Sequence, residues 1–305
     1  RLVKNKHFQE TVDEFDIFHD NQSISSYPEK VLKKLVTTLH HPIHVDKEID
    51  LTSEKSFLKR LSIKRWYSFL NFQKKNLKAV KKVISPSLSS KNDICRYFDY
   101  PSKNISVIWN GINLDDCKFH QRGSFNANFV TIISADVPMK NLKTVLKALY
   151  LLKQDGLNAK LTILGDLRED NKKLIDRLGL TKEITYKSKL PRKQLIQSLN
   201  NADIGIAPSK YEGFGFPLVE MIATGLPVIV SDKASLPELA GNAGLIFNSS
   251  DSNDLKEKMK ELIENTTLRN KVTENSKLRR DDFFGWDEYA KKLEDLYKEI
   301  ISGNI

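Results

Sequence analysis

The stretch Pro208-Ser-Lys-Tyr-Glu-Gly-Phe-Gly-Phe-Pro-Leu-Val-Glu220 is the most informative part of the chain. A short apolar run at 203–207 reads as a strand before it, and residues 216–224 carry helical spacing after it. Gly213 and Gly215 let the backbone approach a ligand closely. Pro217 suits a first helical turn, where its missing N–H costs nothing. Gly225, with Pro227 just beyond, is a usual helix stop. A glycine-rich turn before a helix presents unpaired N–H groups and the positive end of the helix dipole. That combination suits a diphosphate. Two carboxylates flank the turn, Glu212 within it and Glu220 one helical turn after Phe216. Carboxylates repel phosphate, so beside an anion site their natural partners are hydroxyl groups, which a sugar diphosphate carries on a hexose at one end and a ribose at the other. Taken alone, the two glutamates would be a dipole-facing helix residue and a surface residue.

Outward from this turn, strands and helices alternate along almost the whole chain, the pattern of parallel α/β sheets. In the second half we expect strands at 129–134, 160–164, 183–186, 203–207, 227–231 and 244–247. Helices are expected at 141–154, 169–178, 192–200, 216–224 and 235–240, then at 251–265, 267–280 and 286–302. In the first third the expected strands are 15–19, 35–39, 82–85 and 105–109. A long helix is read at 63–80 and another at 90–98. Residues 110–128 lack periodicity and contain Asn110-Gly111 and Gly123, which reads as a linker. The expected organisation is therefore a first domain at 1–109, a linker at 110–128, a second domain at 129–283 and a terminal segment at 284–305. In doubly wound sheets, ligands bind outside the carboxyl ends of the strands. The residues to examine are thus 136–140, Gly165-Asp166, 187–191, 209–215 and 231–233.

The 305 residues suffice for two domains, and 40% hydrophobic residues suffice for buried cores. Two cysteines are too few for a disulfide framework and favour a reducing, cytoplasmic setting. No apolar run reaches the ~18 residues of a membrane span. The net charge is +10, and it is uneven. Residues 55–82 contain ten Lys and Arg and no Asp or Glu, with Leu61, Trp66, Phe69, Leu70, Phe72 and Leu77 interleaved at roughly helical spacing. Such a stretch is either a solvated face or a surface for an acidic acceptor or an anionic membrane, the latter as a peripheral contact on the inner face.

The whole of 208–220 resembles the donor-binding motif of glycosyltransferase family 4, in which two glutamates are separated by seven residues. Gly225-Leu-Pro-Val228 follows in the expected place. Asn110-Gly111-Ile112-Asn113 resembles the family's interdomain turn, and Lys140-Asn141-Leu142 its basic motif. Leu161 to Gly165 resembles its second strand, and Phe284-Gly-Trp286 the tail that crosses back to the first domain. The resemblance covers roughly 15–303 and implies a GT-B fold of two Rossmann-like domains facing a cleft. It implies retaining transfer from a UDP-, GDP- or ADP-sugar to a glycan, lipid-linked or small-molecule acceptor, with no metal and no further cofactor. By the same resemblance Lys140 neutralises the diphosphate, Glu212 meets the donor sugar and Glu220 the ribose. The amides around Gly213, Phe214, Gly215 and Phe216 hold phosphate or sugar, and Lys189 and Leu190 border the base. Asn110, Gly111 and Gly165 complete the donor-binding set.

One departure stands out. The family carries an Arg five residues before the motif lysine, and here that position is Ala135. Lys187, Lys189 and Arg192 are the candidates to replace it. In the first domain, Asp16-Ile-Phe-His19-Asp20 and Thr37-Thr-Leu-His40-His41-Pro42 resemble strand ends of the family's acceptor domain, which puts His40 near the transfer centre as a hydrogen-bonding neutral imidazole. The cluster of His40, His41 and His44 has no carboxylate or Cys at ligand spacing, so it is not read as a metal site. The family's first strand and glycine-rich loop are not found before Phe15, and roughly half a domain is expected to be absent. On this reading the 305 residues alone transfer little sugar. Two rivals keep the fold: a sugar phosphorylase or nucleotide-sugar epimerase, separated by phosphate dependence or product analysis, and a nucleotide-sugar-binding module without turnover. No G-x-G-x-x-G follows a strand, against a nicotinamide enzyme, and no nucleic-acid-binding module accompanies the basic stretch.

Overall fold

Four short strands, β1 (Phe18–Asn21), β2 (Leu35–Thr38), β3 (Lys82–Ser85) and β4 (Ile105–Val107), lie side by side in sequence order and pair in parallel throughout. β2 and β3 are buried along their whole length, as parallel strands covered on both faces must be. Six further strands form a second parallel sheet: β5 (Asn128–Ile132), β6 (Lys160–Leu164), β7 (Ile184–Lys187), β8 (Ile204–Ala207), β9 (Val228–Ser231) and β10 (Gly244–Phe247), in the order β10-β9-β8-β5-β6-β7. This is a computed structural model, and it describes residues 10–22, 27–134 and 136–303. The chain divides into two units, one running to Asn110 and taking up the terminal segment from Asp287, the other spanning Gly111–Trp286.

The order of the second sheet fixes where a ligand can enter. From β5 the chain moves outward through β6 to β7, then returns to the other side of β5 and continues through β8, β9 and β10. The direction reverses between β5 and β8, and the loops leaving these two strands diverge to leave a crevice. They are the loop that ends at Lys140 and the turn that begins at Pro208. Beneath them, Leu142, Val145, Leu146, Leu149 and Leu152 of helix Leu142–Gln154 are buried against the sheet, following the apolar stripe of the sequence.

In the first unit, Leu296 and Ile300 of the terminal helix Trp286–Ile301 are buried with Val36, Ile84 and Ile108. The first strand begins at Phe18, three residues later than the spacing predicts. Helix Ile43–Ser53 is not anticipated, because its charged residues His44, Asp46, Lys47, Glu48 and Asp50 blur the apolar period. The single helix expected at 63–80 is instead two, Phe57–Trp66 and Phe69–Leu77. The break falls at Tyr67, whose side chain is buried and whose hydroxyl donates to Asp50 Oδ2 at 2.8 Å. That tertiary bond turns the chain where the apolar spacing would let it continue. In the second unit, residues from Gly111 to β5 pack onto the domain: Arg122 donates to the carbonyls of Ala202 and Thr224 at 2.8 and 3.2 Å.

Candidate functional site

The crevice is stitched together before any charged group enters it. Asn141, buried and in the left-handed region at φ 56°, donates from Nδ2 to the carbonyl of Pro208 at 3.0 Å and of Ser249 at 2.8 Å. Its Oδ1 accepts from Thr144 Oγ1 at 2.8 Å. The backbone N–H of Lys210 donates to the carbonyl of Met139 at 2.8 Å. The loops after β5, β8 and β10 are thus held in one register, and Lys140 projects from a fixed base.

Lys140 Nζ donates to Glu212 Oε1 at 2.7 Å, and Ser209 Oγ donates to the same oxygen at 2.7 Å. The Lys140 and Glu212 side chains are only 15% and 17% exposed, so their attraction is poorly screened. The turn itself is held by Ser235, whose hydroxyl bonds the carbonyls of Glu212 and Phe214 at 2.9 and 2.6 Å. Phe214 is buried and meets Phe216 edge-on at 5.3 Å. Gly215 then takes φ 102°, where a Cβ is strained, and helix Phe216–Ala223 starts with Pro217 in its first turn and no side chain capping it. In that first turn Pro217 has no N–H, and the Leu218 N–H donates to the carbonyl of Gly215 at 3.0 Å.

Glu220 belongs to a second cluster. It pairs with the Arg192 guanidinium, which also donates from Nε to Asp116 Oδ2 at 3.3 Å and from Nη2 to Cys117 Sγ at 3.2 Å. Burial pushes the Glu220 carboxyl above its ordinary range, with Arg192 pulling it back. Burial also pushes the Cys117 thiol up to about 11, so it stays protonated at neutral pH. Of the three candidates to replace the absent arginine, Arg192 is therefore engaged at Glu220 and not at Lys140. Ala135 itself lies outside the described residues.

The other expected residues frame these clusters. Gly165, just after β6, has φ 148° and donates its N–H to the carbonyl of Lys187 at 2.8 Å. A Cβ there would lie 2.0 Å from the carbonyl oxygen of Ile133, so only glycine fits between the ends of β5 and β6. Lys189 is exposed at φ 50°, and Leu190 is half-buried, two residues before Arg192. Gly111 lies against Gly285 and Trp286, with a Cβ meeting backbone at 2.8 Å, and Ile112 N–H donates to the carbonyl of Phe284. Asn110 is buried at the end of the first unit.

His40 stands in the first unit, just past β2. Its Nε2 bonds Asn21 Oδ1 at 2.9 Å, and burial, helped by His41, lowers its pKa below the usual imidazole value. Sequence reasoning quoted His19 without giving it a role; the structure sets its Nε2 at 2.8 Å from Thr38 Oγ1 and its Nδ1 against the Tyr297 hydroxyl. The two histidines that follow His40 turn elsewhere. His41 bonds Asp46, and His44 stacks on Tyr97. Sequence reasoning also missed Asn141 as a loop tie, Ser209 as a Glu212 donor and Ser235 as the clasp of the turn. Only their positions at strand ends hint at such roles.

The profile described as "Glycosyl transferases group 1" matches residues 118–279, more than half of the chain. A second, "Glycosyltransferase Family 4", matches residues 3–116. The chain is 28% identical over 299 residues to an MMP alpha-(1->4)-mannosyltransferase of Mycolicibacterium hassiacum, a match that covers 95% of this chain and 72% of that protein. It spans 59 to 65% of the length of three other curated relatives. Among solved structures it superposes on sucrose-phosphate synthase of Thermosynechococcus elongatus with a TM-score of 0.75 at 17% identity, covering 95% of this chain and 75% of that one. It superposes on Anabaena HepE, solved in complex with UDP and glucose, with a TM-score of 0.71 at 17% identity, covering 95% of this chain and 79% of that one.

Proposed function

The chain belongs to the glycosyl transferases group 1 family, and from that premise we propose that it transfers a hexosyl group from a nucleotide-diphosphate sugar to a glycan or lipid-linked acceptor, with retention at the sugar carbon and without a metal. The observation that carries this reading is the meeting of Lys140, Glu212 and the uncapped start of helix Phe216–Ala223 at one switch point. When a sugar leaves a nucleotide diphosphate, negative charge gathers on the departing oxygens. An ammonium and a helix N-terminus fixed beside them stabilise that charge without reorganising. Glu212 gives up Lys140 to the diphosphate and accepts hydrogen bonds from the donor sugar, while Glu220 accepts from the ribose. His40, neutral at pH 7 because its pKa is lowered, offers a hydrogen bond to sugar or phosphate. Cys117, the thiol beside Glu220, is too weak an acid to serve as nucleophile. The transfer then relies on electrostatics and positioning. The curated relative's name makes mannose the first sugar to test, and the HepE complex makes UDP the first nucleotide.

A thermal-shift panel of UDP-, GDP- and ADP-sugars tests the donor class. A true donor at a hundred times its Kd stabilises by about 2.7 kcal/mol, and a panel without any shift overturns the reading. Calorimetry on two variants then tests the division of roles. Glu220→Gln should weaken free nucleotide diphosphate and nucleotide sugar alike, by roughly ten- to a hundredfold for a lost charge-assisted hydrogen bond. Glu212→Gln should weaken the nucleotide sugar and leave the free diphosphate nearly unchanged. Equal loss of the free diphosphate in both variants overturns this division of roles.

A further inference from the structure

Arg192 opens helix Arg192–Asn200, and each nitrogen of its guanidinium has a different partner. Nη1 pairs with Glu220 Oε1, Nε donates to Asp116 Oδ2 at 3.3 Å, and Nη2 donates to Cys117 Sγ at 3.2 Å. A planar fork tied at all three corners cannot turn without breaking a bond. Two ties lie in the segment before β5 and the third on helix Phe216–Ala223, so one side chain joins separate stretches of the second unit.

Glu220 is held through one oxygen only. Its side chain is 16% exposed, and among the described residues Oε2 receives no hydrogen bond. A carboxylate buried to this degree is costly unless it is paired. Pinned at Oε1, it presents Oε2 in a fixed direction.

We propose that Arg192 is a positioning residue: it aims the open oxygen of Glu220 at the hydroxyl groups of the nucleotide ribose and does not itself bind the diphosphate. This inference rests on the donor assignment above. The three ties oppose the alternative, in which Arg192 swings to the phosphates in place of the arginine absent at position 135. That swing would leave Glu220 buried and unpaired, which is strongly unfavourable. The charged groups acting on Glu220 are Arg192 and Asp116, while Cys117 stays protonated and Arg280 of helix Thr266–Arg280 acts on that thiol. Burial raises the Glu220 carboxyl and Arg192 lowers it, so removing Arg192 lets it rise further.

The test is calorimetry with UDP and GDP and with the 2′,3′-dideoxy form of each, at a pH where Glu220 is ionised in every protein compared. For whichever nucleotide binds, the wild type should prefer the ribose form by roughly ten- to a hundredfold, because the dideoxy form leaves the carboxylate without its hydrogen bonds. Arg192→Gln should cut that preference to about fivefold or less, the level of an ordinary hydrogen bond. Its affinity for the dideoxy form should change little, which also shows that the variant remains folded. As pH is lowered, Arg192→Gln should lose the ribose form at a higher pH than the wild type does. Arg192→Lys separates charge from geometry. Its ammonium should restore the pH profile, but a point charge does not reproduce the planar fork, so the ribose preference should stay low. An unchanged preference in Arg192→Gln overturns the inference. So does a loss that falls equally on ribose and dideoxy forms, the mark of a phosphate ligand or a structural prop. Full recovery of the preference in Arg192→Lys overturns it too, since charge alone would then suffice. If neither nucleotide binds the wild type, the donor assignment falls and this inference with it, whereas binding with the preference intact in both variants sinks this inference alone.

Discussion

The crevice of the second unit and the helix Phe57–Trp66 of the first both carry cations, in opposite company. Lys140 and Arg192 each face a glutamate, on loops tied down by Asn141 and Ser235 or at the start of a helix. Arg60, Lys64 and Arg65 stand on a helix with no buried residue. A cation held in a poorly solvated pair is positioned for one ligand geometry, and replacing its partner costs energy that the ligand must offset. A cation on an exposed helix has no fixed geometry and responds to the field of a whole surface. Formal charge counts these groups alike, whereas their neighbours assign them different tasks.

The largest effect that would sharpen this contrast is at Lys140. Removing one fixed donor to a developing negative charge costs about a hundred- to a thousandfold in turnover, so Lys140→Ala should reduce kcat by that order at saturating donor and acceptor, in a form of the protein that transfers sugar. A loss confined to KM would mean that the lysine binds donor and transition state alike. Next is the glycine between the ends of β5 and β6. Gly165→Ala places a Cβ 2.0 Å from a carbonyl oxygen at φ 148°. The strain alone is worth roughly 1–3 kcal/mol, and denaturant unfolding should show at least that loss. A neutral outcome would mean that the loops after β5 and β6 yield, and that the crevice is less fixed than its hydrogen bonds indicate.

A pH profile tests the second cluster. The folded Glu220 carboxyl is raised above 4.5, chiefly by burial. It accepts ribose hydroxyls only when ionised, so nucleotide affinity should fall as pH drops through a value above 4.5, earlier than for an exposed glutamate. Glu220→Gln should flatten the profile in that window. The same shift has the opposite sense for folding: a carboxyl raised in the folded state favours folding at low pH, and that contribution is lost as pH rises through the folded value. The smallest effect belongs to the exposed helix. A variant carrying Lys59→Gln, Arg60→Gln, Lys64→Gln and Arg65→Gln together should change unfolding stability by less than about 0.5 kcal/mol, because the helix buries none of these residues. A larger loss would show that these cations hold the fold and would weaken the contrast.

Much of the second unit was legible because its signals are local. Buried parallel strands are short apolar runs, the helix at Leu142 has a clean stripe, and Gly213, Gly215 and Pro217 mark the turn by backbone chemistry alone. Glu212 and Glu220 stood out only through the resemblance of the whole segment 208–220 to a family motif. Their partners were not legible, since Ser209, Arg192 and Asp116 meet them only after the sheet has folded. The first unit was harder to read. Helix Ile43–Ser53 hides its period among charges, and the break at Tyr67 depends on Asp50, seventeen residues away.

The sequence by itself determined the alternation of strands and helices, the glycine-rich turn, the two spaced glutamates and the excess of charge at 55–82. Each of these is written in neighbouring residues, through backbone freedom, side-chain period or simple count. Only the tertiary structure decided the strand order that puts Lys140 beside Glu212, the engagement of Arg192 with Glu220, and a helix Phe57–Trp66 without a buried residue. These are relations between segments far apart in the chain. Parallel pairing and burial create them, and no local propensity encodes which segments will meet.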